Sequence, residues 1–286
     1  MDRFKTKILL ALLVIIESVS MYIPGTPIWL RYPGRLIIPI AVFLLVEGYL
    51  KTSNRDEYLK RLIFYAEIVF IGNTILKLVF LRGVFNNILP HGDFVMSTFL
   101  IVCGIALGSI ILTYFVLNGR INDKKGIVFA AYLLISNLLI QYLFNYKVYV
   151  IPNNIFLMLV TSFLFLNAIT AMEQARNSKN FTKELVCVSL GILTEGIIIV
   201  PALTYLFYKA RNSRKMIYQG IIILSALFLG GFNIQALLAY PQWMMVFSIV
   251  FIYFYNGNEG KKVKRLYYIG YPIVIWGTYV IGSLML

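Results

Sequence analysis

The chain has 286 residues, of which 60% are hydrophobic and only 13% charged, with a net charge of +14 and a mean hydropathy of +0.80. Soluble domains average about 45–50% apolar and about 25% charged residues, so one aqueous core cannot hide this much apolar surface and lipid must solvate much of it. The positive charge does not point to nucleic acid, because the basic residues fall between apolar segments, where topology signals sit.

A helix needs about 20 mostly apolar residues to cross a bilayer. Apolar segments occupy residues 8–23, 36–50, 61–81, 94–117, 126–144, 148–172, 184–208, 216–238, 241–256 and 266–286. They are continuously apolar, without the alternation of a lipid-facing barrel strand, and in lipid a helix satisfies its own backbone hydrogen bonds. The expected fold is therefore all-α, a polytopic transmembrane helical bundle of about 9–10 hydrophobic helices, forming a single integral membrane domain over residues 1–286. The first segment follows Arg3, Lys5 and Lys7, and no small-x-small cleavage site precedes Pro24, so it reads as a retained anchor.

Lys and Arg are distributed unevenly among the connections. The N-terminus, the connection with Lys51, Arg55, Lys60 and Arg61, that with Arg120, Lys124 and Lys125, and that with Arg176, Lys179 and Lys183 are rich. The intervening ones are poorer: Arg31 and Arg35, then Arg82, then Lys147. This alternation predicts a multi-pass protein of the cell membrane with a cytoplasmic N-terminus. It breaks at Lys209, Arg211, Arg214 and Lys215, which leave both ends of segment 184–208 basic. That segment contains Glu195-Gly196 and Pro201. It reads either as a re-entrant or broken element or as an ordinary crossing that violates the charge rule.

Ionisable groups at membrane depth are costly and mark functional candidates. Glu17, Glu47, Glu67, Lys77 and Glu195 are the candidates here. Glu47 is close enough to the basic run at Lys51 to snorkel, and Glu67 and Lys77 are too far apart on one helix to pair directly. The single histidine, His91, lies in Leu-Pro-His-Gly-Asp-Phe, which is turn chemistry as well as a His near Asp93. Cys103 and Cys187 fall within apolar segments with no metal-ligand spacing. No phosphate loop, zinc motif or nucleophile elbow is visible.

The stretch Gly34–Leu62, GRLIIPIAVFLLVEGYLKTSNRDEYLKRL, is more distinctive. Gly34-Arg35, Pro39, Phe43-Leu44-Leu45-Val46-Glu47-Gly48, Thr52, Asn54, Tyr58-Leu59 and Arg61-Leu62 resemble the hallmark of the TraX family. Ile252–Gly260, IYFYNGNEG, followed by Tyr271-Pro272, resembles a second family block, and Val95–Leu100 is weakly similar to a third. The resemblance implies an integral membrane acyltransferase that moves an acetyl group from acetyl-CoA to an amine, the acceptor being a peptide such as a pilin subunit. It implies catalytic roles for Glu17, Ser18 and Glu47, and contacts from Arg35, Lys51 and Arg61 to the CoA phosphates, with no metal. Family histidines are replaced here by Glu17-Ser18, by Lys51-Thr52 and by Val274. Two further expectations therefore stand beside acyl transfer. One is a non-catalytic scaffold that acts as an accessory or immunity protein by binding a membrane peptide or partner. The other is a transporter with Glu17 and Glu195 on its path.

Overall fold

A computed structural model describes residues 1–79, 96–143, 154–258, 260, 261 and 266–285, the side chain of Leu266 excepted. Among these residues the structure is helical and contains no strand. The helices are α1 (Arg3–Tyr22), α2 (Ile37–Lys51), α3 (Arg55–Val79), α4 (Met96–Leu117), α5 (Asp123–Leu143) and α6 (Ile155–Gln174). They continue with α7 (Ser178–Ile192), α8 (Ile199–Lys209), α9 (Arg214–Leu227), α10 (Ile234–Ala239), α11 (Ser248–Phe254) and α12 (Leu266–Leu284). Short 3-10 turns cover Ile28–Arg31, Pro33–Leu36 and Pro241–Phe247. Five stretches are long and apolar enough to cross a bilayer: Ile28–Lys51, α3, α4, α5 and α6. The outer surface agrees, for α4 alone exposes Leu100, Leu107, Ile111 and Phe115, side chains that lipid solvates and water does not.

Three elements differ in extent from the apolar segments. Helix α3 starts at Arg55, before the apolar run, because Asn54 accepts a hydrogen bond from the Glu57 amide (3.0 Å) and Asp56 and Glu57 suit the positive end of a helix. Segment 216–238 is two helices, interrupted at Gly230-Gly231 and restarted by the Asn233 cap on Ala236 (2.7 Å). Segment 184–208 is also broken. Helix α7 ends at Ile192, and Ile197 adopts φ 46°, a left-handed conformation unfavourable for a β-branched residue. A Cβ on Gly191 would lie 3.6 Å from Pro201, so the chain doubles back between them. At 1.5 Å per residue α7 is about 22 Å long and α8 about 16 Å, each shorter than a hydrocarbon core of about 30 Å. Segment 184–208 is therefore broken between α7 and α8.

The chain forms two compact units, one of residues 1–47 and 202–286, the other of residues 48–201; the boundaries fall inside α2 and α8. In the first, α12 runs parallel to α1. The Tyr22 and Tyr279 rings meet edge to face at 5.5 Å, and Gly282 packs on the Tyr22 carbonyl. The N-terminus lies along the turn Tyr255–Gly260: Asn256 donates to the Met1 carbonyl (2.9 Å) and Arg3 to that of Asn258 (2.8 Å). Arg214 donates to the carbonyls of Tyr253 (3.2 Å) and Tyr255 (2.9 Å), so the basic N-terminus, the start of α9 and this turn share one end of the unit.

In the second unit α6 is the most enclosed helix, with Phe156, Val160 and Leu164 fully buried, and it packs on α3, α5 and α7. Arg120 reaches Asp56 (3.6 Å), and Lys183 pairs with Asp123, which also accepts from Asn167 (2.6 Å). The connections α2–α3, α4–α5 and α6–α7, all basic, therefore share one end of this unit.

Candidate functional site

The site forms where the chain leaves α1 and returns as α2. Pro24, Gly25, Thr26 and Pro27 stop α1; Gly25 takes φ 77°, which suits glycine. Thr26 holds the turn by donating to the carbonyl of Ile23 (2.9 Å), and Arg31 reaches that of Ser20 (3.4 Å). Pro33 opens the second 3-10 turn with its fixed φ. This turn lays Gly34 on the side chain of Glu17, where a Cβ would stand 2.6 Å from the carboxyl carbon.

Arg35 follows directly and is the charged group that acts on the Glu17 carboxyl. Its Nη1 donates to Gln242 Oε1 at 3.4 Å, while its Nε is buried without an acceptor among the described residues. The first unit thus holds a carboxyl, a guanidinium with a donor to spare and a side-chain amide. Such a group can orient an anionic or carbonyl-bearing ligand and accept a proton beside it.

The other sequence candidates lie elsewhere. Ser18 is buried, but consecutive helix residues are turned by about 100°, so it projects from a neighbouring face of α1. Glu47 and Lys51 stand one turn apart on α2, and Lys51 occupies the last turn, where the helix dipole favours a cation. Sixteen residues of nearly continuous helical chain, about 24 Å at 1.5 Å per residue, separate Lys51 from Arg35. Arg61 is exposed on α3, its guanidinium 5.7 Å from the Tyr58 ring. The structure therefore sets Glu17 and Arg35 close in the first unit, whereas Lys51 and Arg61 belong to the second.

Glu195 lies in the break between α7 and α8, beside Thr194, whose hydroxyl donates to the Gly191 carbonyl (2.6 Å). Glu67 is buried against α4, where Ser109 donates to it (2.7 Å). Lys77 occupies the last turn of α3. His91, Arg82 and Lys147 lie outside the described residues. Among the described residues no three His, Cys, Asp or Glu side chains gather as metal ligands would. Gln242 is the member that sequence reasoning missed; its only signal was an amide in the opening turn of an apolar segment.

The chain matches no protein-family model, no curated protein and no solved structure. The TraX resemblance therefore rests on the residues that carry it.

Proposed function

We propose that this chain is a multi-pass integral membrane protein with a cytoplasmic N-terminus, which transfers an acetyl or other acyl group from acetyl-CoA to an amine of a peptide or small acceptor at the membrane. One observation carries the reading: Gly34 packs on the Glu17 carboxyl, so Arg35, the next residue, is near enough for its charge to act on that group. There the Glu17 carboxylate would take a proton from the amine as its nitrogen attacks the thioester carbon. Arg35 and the Gln242 amide would steady the oxygen as it gains charge. Collapse breaks the carbon–sulfur bond, leaving an amide, and CoA departs as a thiolate that takes up a proton.

The orientation follows from charge. In each unit the basic connections share one end, as expected where they face the cytoplasm. A re-entrant segment 184–208 would account for the break in alternation, since both of its basic ends would then face the cytoplasm. Lys51 and Arg61 then stand at the cytoplasmic ends of α2 and α3, where the phosphates of CoA would be met. Glu17 lies about 21 Å along α1 from Arg3, toward the outer leaflet, so the acceptor amine is expected from that side.

A second reading, a TraX-like scaffold that binds a membrane peptide without catalysis, is favoured by Ser18 projecting about 100° round α1 from Glu17 and by Glu17-Ser18, Lys51-Thr52 and Val274 standing where the family carries histidines. Full-length protein in nanodiscs, given labelled acetyl-CoA and an amine-bearing peptide, separates the two. Label on the peptide, lowered by about 10²–10⁴-fold in Glu17→Gln, supports transfer. CoA binding without turnover favours the scaffold, and absence of CoA binding ends the enzyme reading.

A further inference from the structure

The second unit contains a carboxyl that the proposed reaction does not use. Glu67 lies at the middle of α3, about 18 Å along the helix from Arg55, and is 7% exposed. Its partners come from α4. Ser109 Oγ is 2.7 Å from Glu67 Oε1 and also 2.8 Å from the Ala106 carbonyl. Thr113, one turn further, turns its hydroxyl to the same carboxyl, and neither that hydroxyl nor Glu67 Oε2 has another partner among the described residues.

Ser109 owns one hydroxyl proton and has two acceptors within reach. If Glu67 were a carboxylate, that proton would serve both oxygens at once, Thr113 would be the one donor left for Oε2, and the buried charge would have no cation beside it among the described residues. An unpaired charge in a low-dielectric interior is costly. One added proton removes both difficulties. With a proton on Oε1, Glu67 donates to Ser109, Ser109 donates to Ala106, and Oε2 becomes a carbonyl oxygen facing the Thr113 hydroxyl.

Among the described residues no cation lies near the middle of α3 to take the place of that proton. Helix α4 carries no charged residue. The charges of α5 are Asp123, Lys124 and Lys125 in its first turn, and that of α6 is Glu173 in its last. On α3 itself the charged groups are Arg55, Asp56, Glu57, Lys60 and Arg61 at the start and Lys77 at the end. Ser109 and Thr113 are the groups that act on the carboxyl. Helix α5 also grips α4, where Tyr132 donates to the Ile105 carbonyl (2.9 Å).

We propose that Glu67, Ser109 and Thr113 form a proton-binding site within the membrane, in which Glu67 holds a proton as a neutral acid and hydrogen-bonds α3 to α4. Loss of that proton would leave an unpaired charge between the two helices, so proton release and α3–α4 packing are coupled at this point. The site is independent of the Glu17 group and of any acyl transfer.

Infrared difference spectroscopy of the full-length protein in nanodiscs at neutral pH tests this. The wild type should show the carbonyl stretch of a protonated carboxylic acid, and Glu67→Gln, which keeps a donor and an acceptor, should lose it. Ser109→Ala should fold and shift the same band to higher frequency, because the acid loses its acceptor. Glu17→Gln should leave the band in place. A wild type without the band, or a band that survives Glu67→Gln unchanged, overturns the proposal. If Glu67→Gln does not fold, an unshifted band in Ser109→Ala overturns it instead. Carboxylate absorption together with stabilisation by sodium over choline chloride would assign the site to a metal cation and likewise overturn it.

Discussion

Gly34 stands so close to Glu17 that a Cβ at position 34 would lie 2.6 Å from the Glu17 carboxyl carbon. The atoms in the way are the end of a flexible side chain, so they can yield. Gly34→Ala is expected to fold, with a loss of about 1 kcal/mol, while pushing the carboxyl away from Arg35. Thermal unfolding should shift by a few degrees at most, and label transfer from acetyl-CoA should fall as far as in Glu17→Gln. Transfer at the wild-type rate would separate Glu17 from the reaction.

Gly282 makes the opposite case. Its Cβ would stand 1.9 Å from the Tyr22 carbonyl oxygen, and backbone cannot swing aside. Gly282→Ala should prise α12 from α1 and cost about 3 kcal/mol or more. On the same helix nothing lies within 4 Å of a Cβ at Gly277. Gly277→Ala should be neutral or stabilise by up to about 1 kcal/mol through helix propensity. Thermal unfolding of the two variants in one detergent measures the contrast directly.

The basic residues at both ends of segment 184–208 predict a labelling pattern. In a background with Cys103 and Cys187 replaced by alanine, Lys179→Cys and Arg211→Cys should react with a membrane-impermeant thiol reagent from the same side. Both positions are exposed. Ile28→Cys, exposed in the α1–α2 connection, should react from the other side. Labelling of positions 179 and 211 from opposite sides would restore an ordinary crossing.

Hydropathy made the helices legible, because lipid demands long apolar runs whatever their partners are. It located α4, α5 and α6 to within a turn or so, apart from the start of α6, which fell later. It could not see the break at Gly230-Gly231 or the reversal before Pro201, since apolar residues continue through both and the interruption is conformational. The charge pattern, with Glu195-Gly196 and Pro201 inside segment 184–208, pointed to a break there, which the structure places between Ile192 and Ile199. For the site, a Glu in the first apolar segment marked Glu17, and Gly34-Arg35 marked its neighbour. Gln242 joins them through tertiary folding across some two hundred residues, which no local pattern records. Conversely, Arg35 and Lys51 looked alike as basic residues flanking one apolar segment, and the length of α2 holds them apart.

The two ion pairs at the basic end of the second unit should differ sharply in weight. Arg120 and Asp56 are 92% and 48% exposed, so water and salt screen them, and Arg120→Ala should cost no more than about 0.5 kcal/mol. Lys183 and Asp123 are only 21% and 29% exposed, and Asp123 is also held by Asn167. Lys183→Met strips a half-buried carboxylate of its cation while Asn167 still donates to it, for an expected loss of about 1–3 kcal/mol. Adding Asp123→Asn removes the stranded charge, so the double variant should recover much of that loss, a non-additivity that thermal unfolding of the four proteins can read. High salt should leave the Lys183 effect largely intact while erasing that of Arg120. Additive losses at Lys183 and Asp123 would show that the pair does not fasten α7 to α5, and that α7 is held by apolar packing on α6 instead.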